Sequence, residues 1–281
     1  MTPLNREVMV WGGSDCRHCA PGSWLSSRTA LAGGTRPVIV AARVMAPPPA
    51  PVLRLLCVHG YRQNERAFRE RTGALRKALR KRAELLYVSS PLRVPPPREA
   101  PALPPPPATA AAGDGTRAGE AEEDACGWWF SNPDEDSFNA LDHVATSKGL
   151  EESLETISKA MVELGPFDGI LGFSQGAALV SMICALKQQG DPRFQFDFAI
   201  LVAGFRSRSK LHSHFYQEPI AVPSLHVFGE TDQVIPGEMS QELSTSFVDP
   251  VVLTHPGGHF VPISAPQKPV YLEFLERFQK K

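Results

Sequence analysis

The sequence predicts an α/β fold, a mostly parallel sheet with helices on both faces. Three observations point to it. Short, nearly unbroken apolar runs such as Val52–Val58, Gly169–Phe173 and Phe198–Val202 have the composition of strands buried on both sides. Segments of helical periodicity alternate with those runs, the pattern of strand–helix–strand units. The chain has 281 residues, 42% hydrophobic and 21% charged, which suits one enzyme-sized globular domain.

In chain order, residues 1–51 are expected to be a poorly ordered N-terminal extension. Residues 1–44 show no strand or helix period, and Pro47, Pro48, Pro49 and Pro51 follow. The Arg-containing start has some character of a mitochondrial transit peptide, but Glu7 and Asp15 and a weak amphipathic pattern count against it; Met45 is an alternative start. The folded domain is expected over 52–281. Val52–Val58 reads as a strand, Asn64–Arg82 as a helix through Ala67, Phe68, Leu75, Ala78 and Leu79, and Glu84–Val88 as the next strand. Residues 91–125 combine a Pro run, a Gly/Ala/Thr stretch and the acidic Glu120–Asp124, and are expected to form a disordered insertion that adds no second domain. Gly149–Leu164 is an amphipathic helix stopped by Gly165-Pro166, and Gly169–Phe173 is a strand. A helix over Gln175–Gln189, a strand Phe198–Val202, a weak segment and a strand Leu225–Phe228 come next. A helix Glu238–Phe247, a strand Val251–Thr254 and a helix from about Gln267 complete the chain.

A formal charge of -1 gives no basic excess for nucleic acid or an anionic membrane. No run reaches the roughly 18 apolar residues of a membrane span. The five cysteines are an odd number, and Cys57 and Cys184 sit in apolar core stretches, so reduced thiols and a cytoplasmic setting are expected. Cys16-Arg17-His18-Cys19 has metal or redox spacing without a second ligand pair, and reads as chance.

The informative string is Gly169-Ile-Leu-Gly172-Phe-Ser174-Gln175-Gly176-Ala-Ala178, a buried strand running through G-x-S-x-G into a small-residue helix. A nucleophile elbow holds its serine in a strained turn, and glycines two residues to either side remove Cβ atoms that would collide with neighbouring elements. Ser174 is therefore the expected nucleophile. A serine hydroxyl needs an imidazole to take its proton and a carboxylate to hold that imidazole. Asp232 follows the strand ending at Phe228, and His259 follows the next strand in Pro256-Gly257-Gly258-His259, so both leave carboxyl-terminal strand ends, the edge where open α/β sheets bind ligands. Glu230 is the alternative acid. His226 lies inside a strand and His255 lacks the Gly-Gly turn, while Asp191, Asp197 and Asp249 stand where capping and turn roles are common. The developing oxyanion calls for fixed N–H donors, assigned to the backbones of Gln175, at the helix start, and Tyr61, in the His59-Gly60-Tyr61 turn.

Several strings together resemble one family: Leu56-Cys-Val-His-Gly-Tyr-Arg-Gln-Asn64, Gly127-Trp-Trp-Phe130, Gly165-Pro-Phe-Asp-Gly169, Gly172–Ala178, Phe228-Gly-Glu-Thr-Asp232 and Gly257-Gly-His259. From about Val52 onward the chain resembles the FSH-type serine hydrolases of the α/β-hydrolase superfamily. That resemblance implies the α/β-hydrolase fold and hydrolysis of carboxylic esters, small-molecule or lipid-like, without metal or cofactor, with esters of long, unbranched acyl chains preferred. Acyl-protein thioesterase activity and a non-catalytic binding role on the same fold are the alternatives. Trp128, Trp129 and Phe130 suit either an acyl-pocket wall or a core anchor.

Overall fold

The computed structural model describes residues 51–96 and 124–279. The expectations for the N-terminal extension, for Cys16 and Cys19, and for most of the 91–125 insertion lie outside the described residues. In chain order the elements are β1 Leu53–Val58, α1 Glu65–Arg71, α2 Gly73–Leu79, β2 Ala83–Val88, β3 Leu92–Arg93, β4 Cys126–Gly127, α3 Leu150–Glu163, β5 Gly169–Phe173 and α4 Gln175–Gln188. They continue with β6 Phe198–Val202, a 3₁₀ helix Lys210–Tyr216, β7 Ser224–Gly229, α5 Gly237–Ser244, β8 Val251–His255 and α6 Lys268–Gln279.

Six strands form one sheet in the order β2-β1-β5-β6-β7-β8, every neighbouring pair parallel. Such a sheet must be covered on both sides, and alternate residues of each strand divide between two cores. Leu56, Val58, Ile170, Ala199 and Leu201 pack with α3, α4 and α5 through Ile157, Leu179, Ile183 and Leu243. Leu55, Cys57, Leu171, Phe173, Ile200 and Val227 face the other way, against Phe68, Leu75 and Leu79 of α1 and α2 and Tyr271, Phe274 and Leu275 of α6. The free thiols of Cys57 and Cys184 lie in these cores, where burial pushes their pKa values well above the usual thiol range. Among the described residues no helix is long and apolar enough to cross a membrane.

Two expectations change in detail. The helix predicted over Asn64–Arg82 is two short ones: the Asn64 side chain caps α1 by accepting from Ala67 N (2.8 Å), and Thr72 Oγ1 donates to Phe68 O (2.7 Å), a side-chain bond to the preceding turn that competes with helix continuation just before Gly73. The ends of the 91–125 stretch belong to the fold, since β3 and β4 pair antiparallel and Val94 N donates to Ala125 O (2.8 Å). This ribbon also reaches the turn after β1: Arg62 N donates to Cys126 O (2.8 Å) and Cys126 N to Gln63 O (2.9 Å).

Candidate active site

Ser174 is the junction of β5, the strand held between β1 and β6, and α4. Its backbone lies at φ 53°, ψ −120°, a conformation costing a non-glycine residue on the order of 1–3 kcal/mol that persists only where its surroundings impose it. The surroundings do. Ser174 N donates to Val202 O on β6 (2.8 Å), and Ser174 O accepts from Ala177 N and Ala178 N in the first turn of α4. The flanking glycines are required by contact: a Cβ on Gly172 would stand 2.5 Å from Gly176 O and 2.6 Å from Ala177 Cα, and one on Gly176 2.3 Å from His59 O and 2.4 Å from Val58 O. Only without side chains at both positions can β5, α4 and the end of β1 approach closely enough to form this turn.

Asp232 and His259, 27 residues apart, meet above the carboxyl ends of β7 and β8. His259 Nδ1 bonds to Asp232 Oδ2 at 2.7 Å, and Asp232 Oδ1 accepts from Val234 N (2.8 Å) and Ile235 N (2.9 Å). Burial by itself would raise the carboxyl pKa, but the His259 bond, the two backbone amides and the His259 charge outweigh it, and Asp232 is held below its ordinary value. An ionised carboxylate only accepts, so Nδ1 carries a proton and the lone pair of a neutral ring sits on Nε2. The loops that carry the pair touch backbone to backbone, a Cβ on Gly229 falling 2.1 Å from Gly257 O. Glu230, the alternative acid, is exposed to solvent, and its N–H serves the loop by donating to His255 O (2.8 Å).

The two rival histidines, His255 and His226, are engaged elsewhere. His255 Nδ1 accepts from Gly257 N (3.2 Å), and its ring packs on Phe260. His226 is buried in β7 beside Ser224 Oγ and Phe247, and burial pushes its pKa down to about 3. Asp191 Oδ1 accepts from Arg193 N, a turn contact, and Asp249 stands at φ 47° in the bend before β8. The Asp197 backbone N–H donates to Asp168 O just before β6.

The turn after β1 is held from all sides. Ser90 N donates to His59 Nε2 (3.0 Å), which leaves Nδ1 of the neutral ring to donate to Gly60 O (2.7 Å); burial, partly offset by that bond, pushes the His59 pKa down to about 4. Gly60 N donates to Gln63 Oε1 (3.1 Å), and Trp128 Nε1 to His59 O (2.7 Å). Gln175 opens α4, where backbone N–H groups have no intrahelical acceptor. Its side chain is committed, Oε1 accepting from Trp128 N (2.8 Å) and Nε2 donating to Trp129 O (2.8 Å). Trp128 and Trp129 are thus almost wholly buried anchors that tie the segment after β4 to the elbow, while the buried Phe130 packs with Val94 and Ala125.

A cavity of about 280 Å³ opens over the elbow. Ser174 and His259 both line it, with Tyr61, Phe173, Val234 and Ile235. Gln63, from the string that follows β1, also lines it, as do Arg71, Phe138 and Asn139, which no periodicity or motif in the sequence singles out. Among the described residues no group of three or more His, Cys, Asp and Glu side chains is arranged to hold a metal ion.

This geometry has counterparts in known proteins. Residues 50–271 match the family model "Serine hydrolase (FSH1)". "Esterase OVCA2" of Xenopus tropicalis is 61% identical over 227 residues, covering 81% of this chain and 94% of that protein, and its Homo sapiens namesake is 51% identical over 232 residues, covering 80% and 96%. Solved structures similar in fold include Arabidopsis thaliana SOBER1 (TM-score 0.51, 16% identity, 82% of this chain and 100% of that one) and Zea mays acyl-protein thioesterase 2 (TM-score 0.52, 14% identity, 84% and 97%). At such identities these neighbours speak for the α/β-hydrolase fold alone, whereas the family match spans most of the chain. The chain belongs to the FSH1 family of serine hydrolases.

Proposed function

We propose that this serine hydrolase is a carboxylic ester hydrolase in which Ser174, His259 and Asp232 work as one unit. Relatives of 50–61% identity that carry the name esterase support the reaction class. The observation that carries the residue roles is the 2.7 Å bond from His259 to Asp232 beside a cavity that His259 shares with the strained Ser174. Ser174 Oγ attacks the ester carbonyl as His259 Nε2 takes its proton. Asp232 keeps Nδ1 protonated and the ring oriented, and stabilises the imidazolium that forms. The amides of Gln175 and Tyr61 receive the oxyanion. His259 then returns the proton to the departing alcohol, and water, activated the same way, releases the acid from the acyl-enzyme. The FSH-type resemblance and the apolar lining by Phe138, Phe173, Val234 and Ile235 support esters of long, unbranched acyl chains as substrates.

The test is Ser174→Ala in the full-length protein, assayed on a panel of esters of rising acyl length, with fluorophosphonate labelling followed by peptide mass spectrometry. The expected result is label on Ser174 in the wild type and a fall in kcat on the order of 10⁴-fold or more in the variant. Full esterase activity in the Ala variant, or label on another residue, would refute the assignment.

A further inference from the structure

The cavity over Ser174 has an uneven charge inventory. Arg71, the last residue of α1, lines it, and no Asp or Glu side chain among the described residues does. Some arginines elsewhere on the surface face carboxylates, Arg54 with Glu84, Arg66 with Glu70, Arg82 with Glu276, Arg193 with Asp191 and Glu151, and Arg206 with Glu242, while others rest on aromatic rings, Arg69 on Tyr87 and Arg277 on Phe274. Arg71 faces no carboxylate among the described residues. Asp232, the carboxylate bonded to His259, is also held by two backbone amides. Position at the end of α1 accounts for a cation there through the helix dipole, but does not account for its side chain bordering the cavity that holds the elbow serine.

From this we infer that Arg71 is a specificity-determining residue, and that the preferred ester carries a negatively charged group, a carboxylate or a phosphate, which the Arg71 guanidinium binds while the ester carbonyl lies at Ser174. The planar guanidinium fork suits either anion through paired N–H bonds. Tyr61 and Gln63 border the same cavity, so the charged end of the substrate has polar neighbours while its hydrocarbon part lies on Phe138, Phe173, Val234 and Ile235. The inference deepens the proposed esterase reading and rests on it.

The experiment compares three esters of matched length on the wild-type protein: a neutral one, one with a carboxylate at the far end of the acyl chain, and one with a phosphate on the alcohol side. The expected kcat/KM for at least one charged ester exceeds that for the neutral ester about fivefold, since the pair is solvent-accessible. Which ester gains tells whether Arg71 reads the acyl or the alcohol side. The preference weakens as salt rises, drops toward unity in Arg71→Gln, reverses in Arg71→Glu and is largely restored in Arg71→Lys. Because the neutral ester is the internal reference, a general loss of folding or rate cancels from the ratio. Equal rates on all three esters, or a preference that survives Arg71→Gln, would overturn the inference and leave the role of Ser174 standing. Undiminished hydrolysis by Ser174→Ala, or hydrolysis of none of the three by the wild type, would overturn both.

Discussion

The elbow at Ser174 and the arm formed by Asp232 and His259 are assembled by opposite means. The elbow is fixed by exclusion: it sits between inner strands, and the glycines on either side of Ser174 exist because backbone of β1 and α4 occupies the space their side chains would need. The arm is fixed by attraction. Its two residues come from separate loops near the β8 edge of the sheet, joined by one side-chain bond and by two amides that hold the carboxylate. Steric exclusion tolerates almost no substitution without deforming the fold, while a hydrogen bond can be removed and leave the frame in place. Damage to the elbow should therefore register first in stability, and damage to the arm first in rate.

The sharpest way to break this contrast is Asp232→Asn. An amide facing His259 Nδ1 favours the wrong tautomer, and kcat should fall by on the order of 10³–10⁴-fold with a melting temperature close to wild type. A wild-type rate would remove Asp232 from the proposed mechanism. Trp128→Ala probes the anchor that joins the Gln175 side chain to the β1 turn. Removing a buried tryptophan costs about 3–5 kcal/mol, read as a lowered urea midpoint, and a loss under about 1 kcal/mol would mean the anchor is dispensable. Gly176→Ala tests exclusion directly. A Cβ against His59 O and Val58 O forces the turn apart, at a cost of about 1–3 kcal/mol or more, with esterase activity lost alongside; retention of both would show that the glycine spacing is incidental.

The smallest effect is in the acid limb of stability. The Asp232 pKa is lower folded than unfolded, so its charged form contributes stability that is complete above about pH 4, the ordinary aspartate range, and is lost as pH falls through the lowered value. The difference in unfolding free energy between wild type and Asp232→Asn should hold steady from pH 7 to pH 5 and shrink below pH 4. A difference that stays constant into strong acid would mean that the carboxyl is not held low.

Much of this organisation was readable before any coordinates. Ser174 stood out because a strained strand-to-helix turn imposes its glycine spacing locally, within five residues. The eventual neighbours Asp232 and His259 were found through topology, because parallel strands all end at the same edge of the sheet. The division of the first helix at Thr72 was not readable, since the apolar spacing continues across it and only the side-chain bond to Phe68 O marks the break. The role of the tryptophans was equally open: an aromatic cluster has the same composition as a pocket wall or as an anchor, and their burial together with the Gln175 bonds decides between the two.

By itself the sequence determined the layered fold, the order of its strands along the chain and the residue at the elbow, because periodicity and glycine spacing act over short stretches of chain. Only the tertiary structure decided that Asp232 rather than Glu230 meets His259, that His59 braces a turn, and that Arg71 borders the cavity. Those facts depend on which side chains from distant loops become neighbours, and that is settled by packing across the sheet rather than by any pattern along the chain.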